Sequence, residues 1–428
     1  MPGAGAVIIQ NGNADRVEAP VTLKAYLMCA FAAFGGIFFG YDSGYINGIM
    51  GMEYFIQEFG NGTTTIASST KSLIVSILSI GTFLGACEYS RITQEALTDL
   101  LVVVAGDLAD SVGRRTTIML GCAIFCVGAA LQCSSTVVKM LVGGRFVAGL
   151  GVGFVSAIII LYMSEVAPRK VRGAIVSAYQ FCITIGIMLA NVVTYWTQNY
   201  TTSASYRIPV GIQFVWALIL GIGLFLLPET PRYHVHRGEL EKATHVLSRL
   251  RGQPETSNYI TEELAEIVAN HDYEMQAVPH TGYFSSWANC FRGSIRKPNS
   301  NLRRTILGTS LQMMQQFTGV NFIFYYSTSF FQLLNLGIDA FLLSLITTLI
   351  NVCSTPISFW TVERFGRRPL LIWGALGMVI CQYIVAIAST VAEGNKTALK
   401  VEIAFVCVYI FFFASTWYVL DGQQSCTS

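Results

Sequence analysis

Charge is what this sequence has least of. Only 12% of its 428 residues are Asp, Glu, Lys or Arg, against roughly a quarter in a soluble domain. The formal net charge is +2, which leaves no basic surface for nucleic acid. Paired cysteines are also missing. The 11 cysteines lie mostly singly inside apolar runs (Cys29, Cys182, Cys353, Cys381, Cys407), with no CxxC spacing, so neither a disulfide framework nor a zinc site is supported. Cys122 and Cys126 share a helix face and read as small apolar packing residues. His234 and His236 sit in a basic stretch without a carboxylate cluster and read as solvated. Gly149, Gly151 and Gly153 imitate part of a dinucleotide fingerprint. They lie within an apolar run with no preceding strand, so close helix packing is the better reading. No nucleophile–base set and no phosphate loop is visible, so no enzyme and no cofactor is expected. The segment through Glu18 is polar and lacks a cleavable signal, so the first span is expected to serve as its own insertion signal.

What the chain does have is grease: 53% of it is hydrophobic. A membrane span needs about 20 mostly apolar residues. Such runs occur near 25–50, 116–135, 140–163, 173–196, 208–227, 306–331, 339–360, 370–392 and 401–420, with a shorter run at 72–86. The expectation is an all-α integral membrane protein with about ten spans. One long polar stretch, 228–305, divides six spans from four. The implied organisation is a cytosolic tail (1–24), a transmembrane half (25–227), a cytosolic central loop (228–305) and an incomplete second half (306–428). A basic cluster occurs twice: Gly113-Arg114-Arg115 after Asp107 and Asp110, and Gly366-Arg367-Arg368 after Glu363. Two copies of one multi-helix unit would produce that repeat, as in many secondary transporters. Lys and Arg concentrate in alternate loops, which places the N-terminus and the 228–305 loop in the cytosol. Three glycosylation sequons, at Asn61, Asn199 and Asn395, all fall in the opposite loops.

Two groups of residues could carry chemistry. Asp42 lies inside the first apolar run, where a carboxylate is costly and is a functional candidate by default. Its natural partner is Arg145 in the fourth span. Burial raises a carboxyl pKa and a nearby guanidinium lowers it, so movement of Arg145 would change the proton affinity of Asp42. A static ion pair that fixes helix packing is the alternative. The second group is uncharged: Gln312, Gln315, Gln316, Thr318, Asn321, Tyr325 and Tyr326 in the seventh span, with Gln180 in the fifth and Asn351 in the eighth. Amides both donate and accept and tyrosine rings cover apolar faces, which together suit a neutral polyol such as a sugar. Interhelical hydrogen-bonding glue is the competing reading.

These residues resemble a known family. The chain is similar to the sugar porters of the major facilitator superfamily, most of all to fungal high-affinity hexose transporters. The resemblance rests on Gly106–Arg115, Tyr162–Gly173, Pro228-Glu229-Thr230-Pro231-Arg232, Gln315–Asn321 and Glu363–Arg368 in that order. It implies twelve helices in two six-helix halves, with sugar bound between them near mid-membrane. It implies Gln180, Gln315, Gln316, Asn321 and Asn351 as sugar ligands, and Asp42 and Arg145 as the proton-coupling pair. Asp110, Arg114, Arg115, Glu165, Arg172, Glu229, Arg232, Glu363, Arg367 and Arg368 would form a cytosolic charge network. That network would hold an outward-open state and release it on closure. The expected activity is uptake of a monosaccharide such as glucose across the plasma membrane, with a proton as co-substrate. Facilitated diffusion and a transporter-like sugar sensor are the alternatives. The hexose preferred is not readable from amides.

The chain departs from the family twice. Residues 87–101 put Glu88, Arg91, Glu95 and Asp99 where the second span should continue, at about 2.5–3.5 kcal/mol per charge at bilayer depth. A retained intron would explain them. After Trp417 the family pattern ceases, and the last two spans are absent. A non-functional, misspliced product is therefore a further alternative.

Overall fold

The computed structural model describes residues 23–60, 66–86, 105–168, 172–277, 291–295, 300–334, 337–391 and 396–417. The insert at 87–101, the sequons at Asn61 and Asn395, and the side chains of Arg172 and Glu363 lie outside the described residues. Secondary structure among the described residues is helical, as a chain must be whose backbone polar groups have no water to bond in lipid.

The helices run in order as α1 (Leu23–Ala33), α2 (Gly35–Ile49), α3 (Glu53–Phe59), α4 (Ser68–Ala86), α5 (Ala105–Val112), α6 (Arg114–Cys133), α7 (Val138–Val166), α8 (Arg172–Thr197) and α9 (Ala204–Leu226). Then come α10 (Pro231–His236), α11 (Leu240–Arg251) and α12 (Asn258–Ala277). The last group is α13 (Asn301–Phe317), α14 (Val320–Leu333), α15 (Ala340–Phe365), α16 (Arg367–Val391) and α17 (Lys396–Phe412), ending in a π turn at Phe413–Trp417.

Nine helices among the described residues are long and apolar enough to cross a membrane. The seventh run, expected as one span, is instead two helices, α13 and α14, of 17 and 14 residues. The 72–86 run, expected to be too short alone, is α4. It starts at Ser68 and reaches 19 residues, because Ser68, Ser69, Thr70 and Lys71 extend the helix at its polar end. Large apolar side chains point outward on α9 and α16, where Phe225 is 67% and Trp373 69% exposed. In water such faces would be liabilities; against lipid tails they are the preferred surface.

The described residues separate into two compact units. The smaller contains α10–α12 with the start of α1. Ala243, Leu247, Leu250 and Ile260 are buried within it, and Arg251 pairs with Glu263 at 2.6 Å. Glu239 receives His234 Nδ1 at 3.0 Å and Lys242 at 3.1 Å, and the His234 bond foremost holds its carboxyl below the usual range. His236 lies against the ring of His271 at 4.6 Å. His234, expected to be solvated, is therefore paired, while His236 is exposed as expected. No cluster of potential metal ligands occurs among the described residues.

In the larger unit α7 packs on α4 and α6, α2 packs on α8, and α15 also packs on α8. Glycines set these approaches. Gly36, Gly40, Gly44 and Gly48 recur every fourth residue on α2, and a Cβ on Gly44 would sit 3.0 Å from the backbone of Ile187 on α8. Gly149 and Gly153 face α4 while Gly151 faces Phe125 of α6. The dinucleotide-like spacing is thus a three-helix seam of small residues.

Candidate functional site

α13 and α14 meet at a break. Gly319 takes φ 83°, a left-handed backbone that strains a residue carrying a Cβ by roughly 1–2 kcal/mol. Two side chains converge on the carbonyl of Thr318 beside it. The Tyr409 hydroxyl donates at 2.9 Å and the Gln382 amide at 2.5 Å. Gln316 and Asn321 flank the break and bond each other, Asn321 Nδ2 donating to Gln316 Oε1 at 2.5 Å. Broken helices of this kind are tolerated at membrane depth where they line a cavity.

A cavity lies there. It measures about 420 Å³ and is lined by Gln180 from α8, Gln312, Gln315 and Gln316 from α13, Asn321 and Tyr325 from α14, and Ser43, Tyr179 and Phe413. Small-molecule pockets run from roughly 300 to 1,000 Å³. Four of the five amides singled out as ligands therefore share one chamber. Asn351 is not part of its lining. It is fully enclosed on α15, and both polar atoms of its amide lack a hydrogen-bond partner among the described residues. A solute in this chamber does not reach it in this arrangement.

Asp42 and Arg145 are both fully buried, yet they do not pair. Arg145 donates through Nε to the Ile74 carbonyl at 2.8 Å and through a terminal nitrogen to the Tyr45 hydroxyl at 2.7 Å. Tyr45 in turn donates to Gln132. Asp42 accepts from Gln213 at 3.3 Å, and its second oxygen has no hydrogen-bond partner among the described residues. The expected direct partnership is thus broken by Tyr45, which holds the guanidinium. A carboxylate with one bare oxygen beside a cation bound elsewhere can accept a proton or regain the cation. Tyr45, Gln132 and Gln213 were not among the sequence candidates. Their signal was the same as for Gln180: polar groups isolated in apolar runs.

The charge network forms in part. Arg114 bonds Asp110 at 2.8 Å and Glu165 at 3.3 Å. Glu229, expected to meet arginine side chains, instead accepts from the backbone N–H groups of Arg114, Arg115 and Thr230, each at 3.1 Å. It therefore caps the N-terminus of α6, where a carboxylate is favoured by unsatisfied N–H groups and by the helix dipole. The Arg115 guanidinium lies over the Phe225 ring at 5.2 Å. Arg232, Arg367 and Arg368 are exposed, and no ion pair among the described residues joins Arg367 or Arg368 to α2–α9.

The opposite end is held differently. Asn47 of α2 donates to Ser327 at 2.7 Å and to Ser344 at 3.0 Å, so α2 is bonded directly to α14 and α15. A second cavity of about 510 Å³ lies beyond, lined among others by Gly51, Gln57, Gln198, Asn199, Gln332 and Asp339. Asn199, the one sequon among the described residues, is exposed at its edge.

A family model described as "Sugar (and other) transporter" matches residues 28–420. The chain belongs to this family. As a member of it, the chain is related to transporters rather than enzymes. It is 43% identical over 401 residues to a probable glucose transporter, rco-3, of Neurospora crassa, covering 92% of this chain and 63% of that one. It is 39% identical over 430 residues to the high glucose sensor RGT2 of Saccharomyces cerevisiae, covering 96% of this chain and 53% of that one. The chain thus spans between half and two thirds of these relatives' length. Among solved structures, the proton:xylose symporter XylE matches with a TM-score of 0.72 at 25% identity, over 93% of this chain and 81% of that one. The fold is that of the major facilitator superfamily.

Proposed function

We propose that this membrane protein carries a hexose such as glucose across the plasma membrane by alternating access. One observation carries the reading: Gln180, Gln315, Gln316 and Asn321 come from three helices and line a single chamber. Uncharged amides that both donate and accept match the vicinal hydroxyls of a sugar, and the rings of Tyr179, Tyr325 and Phe413 in the same walls match its apolar faces. The helices of 25–227 and of 306–428 are the two moving halves in this reading. The N-terminus lies in the cytosol by the distribution of Lys and Arg.

Coupling to protons is assigned to Asp42. Its bare oxygen takes up a proton while Tyr45 holds Arg145, and return of Arg145 to Asp42 expels it. A cell lacking its own hexose carriers tests the reading. Expression of this chain restores uptake of labelled glucose, and Gln315→Ala or Asn321→Ala lowers it at least tenfold. Wild-type uptake at the background rate would remove the reading. The glucose-sensor relative favours a second possibility, a receptor that signals without flux. A glucose response in cells that show no uptake selects it.

A further inference from the structure

We propose that Glu402, with the cavity it lines, is a binding site for a lipophilic amine, separate from the amide chamber. The cavity measures about 340 Å³, within the range of roughly 300–1,000 Å³ typical of small-molecule pockets. It lies behind the broken helix. Asn321 and Tyr325 of α14 line the amide chamber, whereas Phe322, Ile323 and Phe330 of the same helix line this second space. Val385 and Ala386 of α16 and Val406 of α17 extend its apolar walls.

Glu402 is the exception in those walls. It is 1% exposed, and neither carboxylate oxygen has a hydrogen-bond partner among the described residues. Two polar neighbours in the lining are engaged elsewhere, since the Gln382 amide and the Tyr409 hydroxyl both donate to the Thr318 carbonyl. Glu402 sits on α17, which starts at Lys396, and so lies about 9 Å along the span at 1.5 Å per residue. A carboxylate at membrane depth calls for a partner, and burial of an unpaired charge is strongly disfavoured. No Lys or Arg lines the cavity, so the missing counter-charge comes from outside the protein.

The form of the deficit names the ligand. One negative group in an apolar space takes a single positive head on an apolar body, which describes a protonated alkylamine. Glu402 meets an entering head by rotation of its flexible side chain. An ammonium-bearing lipid headgroup suits the space less, because its phosphate would enter a cavity that offers no cation. An inorganic cation would leave the walls of Phe322, Ile323 and Phe330 uncovered. The competing state is a protonated Glu402 beside an uncharged apolar occupant.

The test is saturable binding of tritiated octylammonium to the purified full chain in phosphatidylcholine nanodiscs, with empty nanodiscs subtracted. Wild type binds the label, and Glu402→Gln, which keeps the shape and removes the charge, weakens binding at least tenfold. Octanol, the neutral counterpart, displaces the label at least tenfold less effectively than unlabelled octylammonium does. Excess glucose leaves the label in place, since the two cavities use different faces of α14. Absence of saturable binding, equal binding by folded Glu402→Gln, equal displacement by octanol or displacement by glucose would each overturn the site. Should Glu402→Gln not fold, the octanol comparison on wild type decides. None of these readouts needs transport, so a chain that takes up no glucose leaves the site standing.

Discussion

Tyr45 holds the Arg145 guanidinium. Its hydroxyl stands between the Arg145 guanidinium and Gln132, so Tyr45→Phe strips a partner from both. A buried donor left without an acceptor costs about 1–3 kcal/mol, and the unsatisfied oxygen of Asp42 offers Arg145 an acceptor. The expected outcome is a folded carrier whose exchange of labelled sugar persists while uphill accumulation fails, because the restored pair disfavours protonation of Asp42. Asp42→Asn gives the same split by a different route, removing the proton site itself. Counterflow and accumulation measured side by side in vesicles check both. Unaltered accumulation in Asp42→Asn would remove this carboxylate from coupling. At the other end, Glu229 holds three backbone N–H groups, including those that open α6. Glu229→Ala is expected to lower stability by about 1–2 kcal/mol, with Glu229→Gln losing less, as read by thermal denaturation of purified protein. Asp42 and Arg145 were visible in the sequence as charges out of place, and Glu229 through the family resemblance alone. What they bind was not, because the choice between a side-chain and a backbone partner is made by helix packing, which one sequence does not display.

At the scale of elements, apolar length located the spans well and the interruptions poorly. The seventh run carries no proline. Its break depends on one glycine at positive φ and on two bonds to Thr318 from α16 and α17, residues more than sixty positions away. Gly319→Ala strains that turn by about 1–2 kcal/mol and brings a methyl to within 2.9 Å of the Gln382 amide. The expected effect is at least a fivefold rise in the half-saturating sugar concentration with little loss of protein in the membrane. Transport kinetics with immunoblotting of the membrane fraction check it. The polar start of α4 was misjudged for a related reason. Serine and threonine weigh against a span by hydropathy yet continue a helix readily once its apolar part is anchored. Asn351 shows the limit of residue type as a guide: an isolated amide in an apolar run marks either a ligand or an enclosed side chain, and composition is the same for both.

For the molecule as a whole, hydrogen bonds among the described residues join α2 and α8 to α14 and α15 at one end, and no ion pair among them joins Arg367 or Arg368 to α2–α9 at the other. The chamber with the amides begins about one helical turn before the Asn47 bonds along α2, at Ser43. This arrangement predicts an orientation as well as a state. If the Gly-Arg-Arg turns face the cytosol, Asn199 is on the exterior and open to glycosylation in a eukaryotic host. Loss of a glycosidase-sensitive mobility shift in Asn199→Gln, measured with Asn61 and Asn395 already replaced by Gln, is the expected result. A chain without any such shift at Asn199 would argue for the opposite insertion.

The glycine ridge along α2 has a mechanical corollary. Along Gly36, Gly40 and Gly44 the backbone of α2 touches that of α8 with no side chain to absorb sliding, so on the transport reading α2 and α8 would swing together as one lever. On that reading the pair tilts as a whole, which leaves few half-open postures through which solute or protons could leak.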